Sequence, residues 1–410
     1  MILSIIKEKL PAEMSLELER ILGFWSTRAI DTQWGGFVGQ IDHFGNVNHG
    51  SSKGAVLNAR ILWTFSAAYR VIGSETFNKM ADRAYGYLIE TFWDKEYGGL
   101  IWEADAAGHP LSSRKQAYAQ GFGIYALSEY FLATGNKDSL EYAKKLYHLL
   151  EDKFLDTKQG GYIEALDKKW DALADMRLSE KDANLPKSMN THLHILEPYT
   201  NLYRAWPQEK LKQSILHLLD VFQHKIIDHT SGHFRLFFEM DWSCRSSIVS
   251  YGHEMEGAWL LHEAAKETGD EKRIRDIQKS ALRLVDITLK EGSDADGSIY
   301  YEKEGDHLDT DKHWWPQAEA MVGFMDAWEM DQKDAYLEQV ARIWSFIKEH
   351  LIDHQNGEWY WCVDKRGRPD PSQDKAGFWK CPYHNSRALM EVINRIQKLS
   401  KREVGYGFIL

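Results

Sequence analysis

An all-α fold, an (α/α)6 barrel of six inner and six outer helices, is what this 410-residue sequence predicts. Three observations carry the prediction. A glycine turn recurs six times, nearly all-round apolar segments alternate with one-sided ones between the turns, and glycine follows several of the apolar segments. A long, regular period of this kind signals stacked supersecondary units rather than separate domains.

The turns are Asp31-Thr-Gln-Trp-Gly35-Gly-Phe37, Asp94-Lys-Glu-Tyr-Gly98-Gly-Leu100 and Asp156-Thr-Lys-Gln-Gly160-Gly-Tyr162, then Asp228-His-Thr-Ser-Gly232-His-Phe234, Asp294-Ala-Asp-Gly297-Ser-Ile299 and Asp353-His-Gln-Asn-Gly357-Glu-Trp359. Successive glycines lie 63, 62, 72, 65 and 60 residues apart, and five of the six turns keep Asp four residues before Gly. Asp opens a turn by accepting hydrogen bonds from its own downstream backbone, and Gly takes the positive φ that the turn requires. The aromatic or aliphatic residue that follows starts a short strand, one arm of a hairpin at the rim.

Segments 54–71, 116–133 and 255–265 are apolar nearly all round, as buried inner helices must be. Residues 139–152 instead set Leu140, Ala143, Leu146, Tyr147 and Leu150 on one face, opposite Glu141, Lys144 and Lys145. That is the pattern of a half-solvated outer helix. Gly73, Gly135 and Gly269 stand where a C-terminal cap expects glycine. About twelve helices in six inner/outer pairs result. No pair buries its apolar stripe alone. Neither end shows a polar capping repeat and no low-complexity linker interrupts the chain, so residues 1–410 are expected to close into a single catalytic domain.

Lys plus Arg number 50 against 61 Asp plus Glu, a net charge of −11. Such a balance gives no field for nucleic acid or an anionic membrane. No apolar run is long enough to span a bilayer. Met1 to Ile6 meets Lys7 and Glu8 at once, too soon for the core of a signal peptide. Cys244, Cys362 and Cys381 form no CxxC pair and are odd in number, which fits a reducing compartment. A cytoplasmic monomer acting on a small molecule is expected. With 16 Trp and 19 Tyr, the chain also suits sugar, since an aromatic face packs on the C–H face of a pyranose.

The inner helices are expected to begin near residues 53, 115, 190, 251, 313 and 383, all at one rim, and unusual polar residues gather there. They are Arg60; Tyr118; Asn190, His192 and His194; His253, Glu254 and Glu256; His313, Trp314, Trp315 and Glu319; Trp379, Tyr383, His384 and Asn385. Six repeats converging in this way describe a deep pocket lined by aromatics and polar groups. Arg60, inside an apolar helix, needs a carboxylate or an anionic ligand, and Glu256 or Glu319 are its candidate salt-bridge partners. His194, His253 and His384 are expected at equivalent positions of their repeats. His253 and Glu256 share a helix face at i, i+3, so the carboxylate would set the tautomer of the imidazole and raise its basicity. Across the pocket His384 would face it, and two opposed imidazoles suit removal of a proton on one side and its return on the other.

No metal is expected. The HExxH pattern fails at Gly257, and His192 and His194, two residues apart, point to different faces of a helix. No G-x-S-x-G elbow, phosphate loop or dinucleotide fingerprint is present.

Met189-Asn-Thr-His-Leu-His194-Ile-Leu-Glu197, Tyr251-Gly-His-Glu-Met-Glu256, Trp314-Trp-Pro-Gln-Ala-Glu319 and Trp379-Lys-Cys-Pro-Tyr-His384-Asn resemble, in matching order and over nearly the whole chain, the cellobiose 2-epimerases of the N-acylglucosamine 2-epimerase superfamily. The resemblance implies an (α/α)6 barrel without metal or nucleotide cofactor. Its reaction would turn the reducing-end glucose of β-1,4-linked disaccharides into mannose, cellobiose into glucosyl-mannose and lactose into epilactose. Carried to matching positions, it implies His253 and His384 as the acid/base pair and His194 as a third essential histidine. Arg60 would bind the sugar oxygens near C1 and C2, and Glu256 would support the catalytic histidine. Asn190, Tyr118, Glu319, Trp315 and Trp379 would form the pocket. Glu254-Met255-Glu256 stands where the family often has Asp-Ile-Glu, which leaves the second carboxylate in place.

The implied chemistry opens the pyranose and passes the C2 proton to a neutral imidazole. A cis-enediol results, its charge stabilised by Arg60, and the proton returns to the opposite face. Delivery to C1 instead would give a ketose as a side product. One rival is a monosaccharide relative, an N-acylglucosamine 2-epimerase or a mannose isomerase. Another is an inverting glycosidase using Glu256 and Glu319, which would leave the three rim histidines without a purpose.

Overall fold

The computed structural model describes residues 2–406, so the first residue and the last four of the expected domain lie outside the described part. Twelve α-helices among the described residues form two rings. The inner ring is α2 (Ala55–Ile72), α4 (Ala117–Thr134), α6 (Met189–Ala205), α8 (Tyr251–Thr268), α10 (Trp314–Asp331) and α12 (Tyr383–Tyr406). The outer ring is α1 (Ile2–Thr27), α3 (Glu75–Tyr87), α5 (Lys137–Leu149), α7 (Glu209–Val221), α9 (Glu271–Ile287) and α11 (Asp334–Phe346). Each inner helix packs on the next, and α12 packs back on α2. The expected (α/α)6 barrel is therefore what the chain forms.

Burial follows the two patterns read from the sequence. Every residue of α2 from Ala55 to Ala68 is buried. On α5, Leu140, Ala143, Leu146 and Tyr147 face inward while Glu141 is exposed. Gly73, Gly135 and Gly269 cap α2, α4 and α8 with φ of 77°, 76° and 67°. Outer helix α1 packs on α12 and α11, so the start of the chain supplies the outer partner of its end. Trp25 Nε1 donates to Glu358 Oε2 at 2.6 Å and Trp359 Nε1 to Glu17 Oε1 at 2.9 Å, which fixes that closure. This is why neither end needs a polar cap. No helix of the described residues is long and apolar enough to cross a membrane.

Two features of the repeat go beyond the sequence reading. Outer helices α3, α5, α7, α9 and α11 each run into a five-residue π turn, at Leu88–Phe92, Leu150–Phe154, Phe222–Ile226, Thr288–Gly292 and Ile347–Leu351. The second is a buried lysine on the turn aspartate. Lys53 pairs with Asp31, Lys115 with Asp94, Lys187 with Asp156, Lys312 with Asp294 and Lys375 with Asp353, at 2.7–2.8 Å. The other carboxylate oxygen makes the turn itself: Asp31 Oδ1 accepts from the backbone N–H of Gln33 and Trp34, both at 2.9 Å. In the fourth repeat Val249 occupies the lysine position, and Glu254 ties the turn instead, bonded to His233 Nδ1 at 2.7 Å and Thr288 Oγ1 at 3.0 Å.

Short strands before the inner helices stitch the rim together. Lys53 pairs antiparallel with Ala104, Lys115 with Leu166, Lys187 with Phe238, Ser250 with Glu302 and Lys312 with Val363. A bridge between Ile41 and Ala376 joins the first repeat to the last. The belt holds all six inner N-termini at one end of the barrel.

Candidate active site

From that end, the predicted side chains point toward the barrel axis from different heights. His194 is the sixth residue of α6, His253 the third of α8 and His384 the second of α12. The expected equivalence of the three histidines is thus corrected: closure of the ring, rather than repeat register, makes them neighbours. Glu256 and Trp315 mark the convergence. Glu256 lies 3.8 Å from both His194 Nε2 and His384 Nδ1, and the indole of Trp315 packs on the rings of both His253 (4.7 Å) and His384 (5.8 Å).

At the centre is a residue the sequence reading missed. Arg387 Nη2 donates to Glu256 Oε1 at 2.7 Å and to Glu319 Oε1 at 2.6 Å, while Nη1 bonds Glu197 Oε1 and the Tyr383 hydroxyl. Tyr383 donates to Glu197 Oε1 at 2.6 Å, and Trp259 Nε1 to Glu319 Oε2 at 3.1 Å. Two carboxylates then carry histidines: His194 Nδ1 lies 3.1 Å from Glu197 Oε2, and His384 Nδ1 lies 2.6 Å from Glu319 Oε1. Since those carboxylates already accept from Arg387, each imidazole donates through Nδ1–H and keeps Nε2 as an acceptor.

The role expected for Glu256 is also corrected. It does not hold His253, whose Nδ1 instead bonds Ser250 Oγ at 2.8 Å, one turn earlier at the helix entry. Position six of α8 aims Glu256 at the axis, where Arg387 takes it. Arg60 likewise makes no salt bridge to Glu256 or Glu319. It donates to the Tyr118 hydroxyl at 2.8 Å and the Trp379 carbonyl at 3.3 Å, with the rings of Phe122 and Tyr383 4.2 and 5.0 Å from its guanidinium. Its Nε has no partner, and neither has Asn190 Oδ1. A buried cation and a buried amide oxygen left unsatisfied call for a polar ligand.

Burial governs the protonation states. It pushes His253 down to about 3 and holds His194 below its ordinary value against the pull of Glu197. His384 is lowered well below normal by burial and by Arg60 and Arg387. All three imidazoles are neutral at physiological pH. Glu197 resists its own burial because Arg387 and His194 keep it ionised, whereas burial and the charge of Glu319 raise Glu256 well above the carboxylate range.

Aromatic side chains pack around these groups. Tyr118 packs on His194 (5.0 Å) and Trp379 (5.9 Å), and half-buried Trp379 packs on Trp102. Trp314 is 3% exposed and belongs to the core. His192 stays out of the site, as its helix position requires: its Nδ1 lies 2.6 Å from the Ser188 carbonyl, and its Nε2 accepts from Tyr162 N–H at 2.8 Å. His313 stacks on Tyr301 at 3.8 Å. Arg387 was readable only as an arginine in an ordinary polar helix, but Glu197 stands inside one of the quoted motifs, three residues after His194.

Comparison with known proteins places this geometry among sugar-converting enzymes. The family described as N-acylglucosamine 2-epimerase (GlcNAc 2-epimerase) matches residues 35–388. The chain is 46% identical to the cellobiose 2-epimerase of Bacteroides fragilis, over 94% of this chain and 99% of that one. It superposes on the structure of cellobiose 2-epimerase from Bacillus thermoamylovorans with a TM-score of 0.91 at 41% identity, covering 94% of this chain and 99% of the other. The D-mannose isomerase of Marinomonas mediterranea, at 24% identity, and the N-acylglucosamine 2-epimerase of Mus musculus, at 23%, are more distant.

Proposed function

The chain belongs to the N-acylglucosamine 2-epimerase family, and from that premise we propose how its site works. It is a carbohydrate epimerase, an isomerase with the activity of a cellobiose 2-epimerase. The monosaccharide alternatives match it less well than the disaccharide enzymes do. In our reading the reducing-end glucose enters between Trp315 and Trp379, with Tyr118 and Asn190 on its hydroxyls. His253 and His384 exchange the C2 proton: one neutral imidazole takes it from the opened aldehyde and the other returns a proton to the opposite face. Arg60 stabilises the charge that grows on O1 and O2 of the enediol, worth several kcal/mol in a water-excluded site. The steps are proton transfers alone, so they call for no cofactor. We infer a single catalytic domain, working as a cytoplasmic monomer, since every proposed site residue comes from one closed ring.

The observation that most supports this reading is the shared indole. Trp315 touches both His253 and His384, and His384 is held by Glu319 with its Nε2 left free. Incubation with cellobiose in heavy water tests it. Deuterium is expected at C2 of the reducing residue, and His253→Ala or His384→Ala should abolish its uptake without unfolding the protein. Uptake that survives either change, or uptake with N-acetylglucosamine alone, would overturn the reading.

A further inference from the structure

Epimerisation at C2 cannot begin until the hemiacetal opens, and the pair that exchanges the C2 proton does not account for that step. Opening needs a base for the O1 proton and an acid for the ring oxygen, both bonded to the same carbon. A base and an acid a few ångströms apart reach two such oxygens together. His194 and Glu256 have that relation: Nε2 of the imidazole lies 3.8 Å from Oε2 of the carboxyl, too far to bond directly and close enough to share one substrate carbon.

Each partner is locked from behind. Glu197 Oε2 holds His194 through Nδ1, so Nε2 presents its lone pair. Arg387 holds Glu256 through Oε1, so Oε2 is the oxygen left to react. Burial and the charge of Glu319 favour the protonated form of Glu256, and burial favours the neutral form of His194, which are the two states the step needs. The unpartnered Asn190 Oδ1 lies four residues before His194 on α6, one helical turn nearer the rim, where a sugar hydroxyl would arrive.

We propose that His194 and Glu256 form a base–acid pair that opens the sugar ring, giving the protein an anomer-interconverting activity on reducing disaccharides that does not require His253. Nε2 of His194 takes the O1 proton as C1–O1 becomes a carbonyl. The C1–O5 bond breaks, and its electron pair takes the proton of the Glu256 carboxylic acid. An imidazolium then faces a carboxylate across the same gap, and the proton passes back over a sugar hydroxyl that bonds both groups. The pair thus resets without a third group.

This inference rests on the epimerase reading, so its test separates the two. His253→Ala protein is mixed with freshly dissolved β-cellobiose, and the anomer ratio and C2 deuterium uptake are followed together by proton NMR in heavy water. The expected result is anomer interconversion well above the spontaneous rate with no C2 exchange. Adding Glu256→Gln, which keeps an oxygen for Arg387, should cut that acceleration by about a hundredfold, and His194→Asn should do the same with the fold checked by thermal melting. Acceleration that is absent in His253→Ala, or that survives both second changes, overturns the inference. C2 exchange that persists in His253→Ala counts instead against the assignment of the epimerising pair.

Discussion

Two arginines of helix α12, Arg387 and Arg395, stand eight residues apart, and each gathers carboxylates around a histidine. Arg387 holds Glu197, Glu256 and Glu319, with His194 and His384 on two of them. Arg395 holds Asp326 at 2.8 Å and Glu329, and His262 Nδ1 bonds Asp326 Oδ2 at 2.8 Å. Both clusters are buried, and both join an arginine, an acid and an imidazole. The difference lies in the far nitrogen. Gln278 Nε2 donates to His262 Nε2 at 3.2 Å, which completes the lower ring, while Nε2 of His194 and of His384 makes no hydrogen bond among the described residues. A histidine on a carboxylate is therefore not a site by itself. The unsatisfied imidazole nitrogen, beside the orphaned Oδ1 of Asn190, is what distinguishes the reactive end.

Single substitutions at the two histidines break this comparison most directly. His384→Ala should lower epimerisation by at least about a hundredfold, as loss of a general acid/base does, while shifting the melting temperature little. His262→Ala should do the opposite, keeping turnover per folded molecule and costing about 2 kcal/mol of stability as Asp326 and Gln278 lose a buried partner. Turnover assays beside denaturant titrations read both. If His262→Ala silences a fully folded enzyme, the lower cluster is not merely structural.

The arginines come next. Removing either leaves buried carboxylates without their cation, a loss of about 3–5 kcal/mol. Arg387→Met and Arg395→Met should therefore destabilise alike in urea. Only the first should also lose activity in conditions where both remain folded, because only there do the carboxylates orient imidazoles that face substrate. Equal loss of activity in both would erase the distinction between the two ends.

How far this was legible in the sequence depends on how local each cause is. The six turns and the inner helix starts were readable to within two residues, because capping, glycine φ and apolar periodicity act over a few neighbouring residues. Lys53, Lys115, Lys187 and Lys312 each precede an inner helix by two residues, a pattern available to anyone aligning the repeats but hidden by treating lysine as a surface residue. Arg387 could not be seen. Its partners lie on α6, α8 and α10, up to 190 residues away, and its own neighbours Ser386 and Ala388 give no hint of burial. The pairing of His253 with Glu256 failed for a related reason: helix spacing says which side chains are adjacent, and the tertiary partners Ser250 and Arg387 decided which bonds form.

Titration sharpens the contrast by a smaller margin. Asp326 resists its own burial because Arg395 and His262 hold it well below the carboxylate range. A depressed pKa contributes stability above the unfolded value near 4, lost as pH falls through the folded one. Glu256 is shifted the other way, so its contribution is present below about 4.5 and is lost as pH rises toward its elevated value. Asp326→Asn should therefore cost about 3 kcal/mol at neutral pH, with the gap from the parent closing in acid. Glu256→Gln should match the parent near pH 4 and become the more stable of the two as pH rises. Melting temperatures followed from about pH 2 to 9 test both signs, the Asp326 gap closing below about pH 4 and the Glu256 gap opening above it, and parallel curves across the whole range would refute the assignment of charge to the two clusters.

The smallest expected effect is none at all. Glu256, Glu319 and His384 bring ligand atoms within 4.8 Å of one another, a grouping that could hold a metal ion. The guanidinium of Arg387 already stands 2.7 and 2.6 Å from the two carboxylates, so the positive charge a metal would supply is built into the chain. An added dication would have to displace that arginine and share His384 Nδ1 with Glu319, which would turn the imidazole away from its acceptor role. Prolonged chelation should leave epimerase activity and melting temperature unchanged, and zinc should give no gain. Activity that falls on chelation and returns with zinc would hand the upper cluster to a metal, and the likeness between the two arginines would then end at their hydrogen bonds.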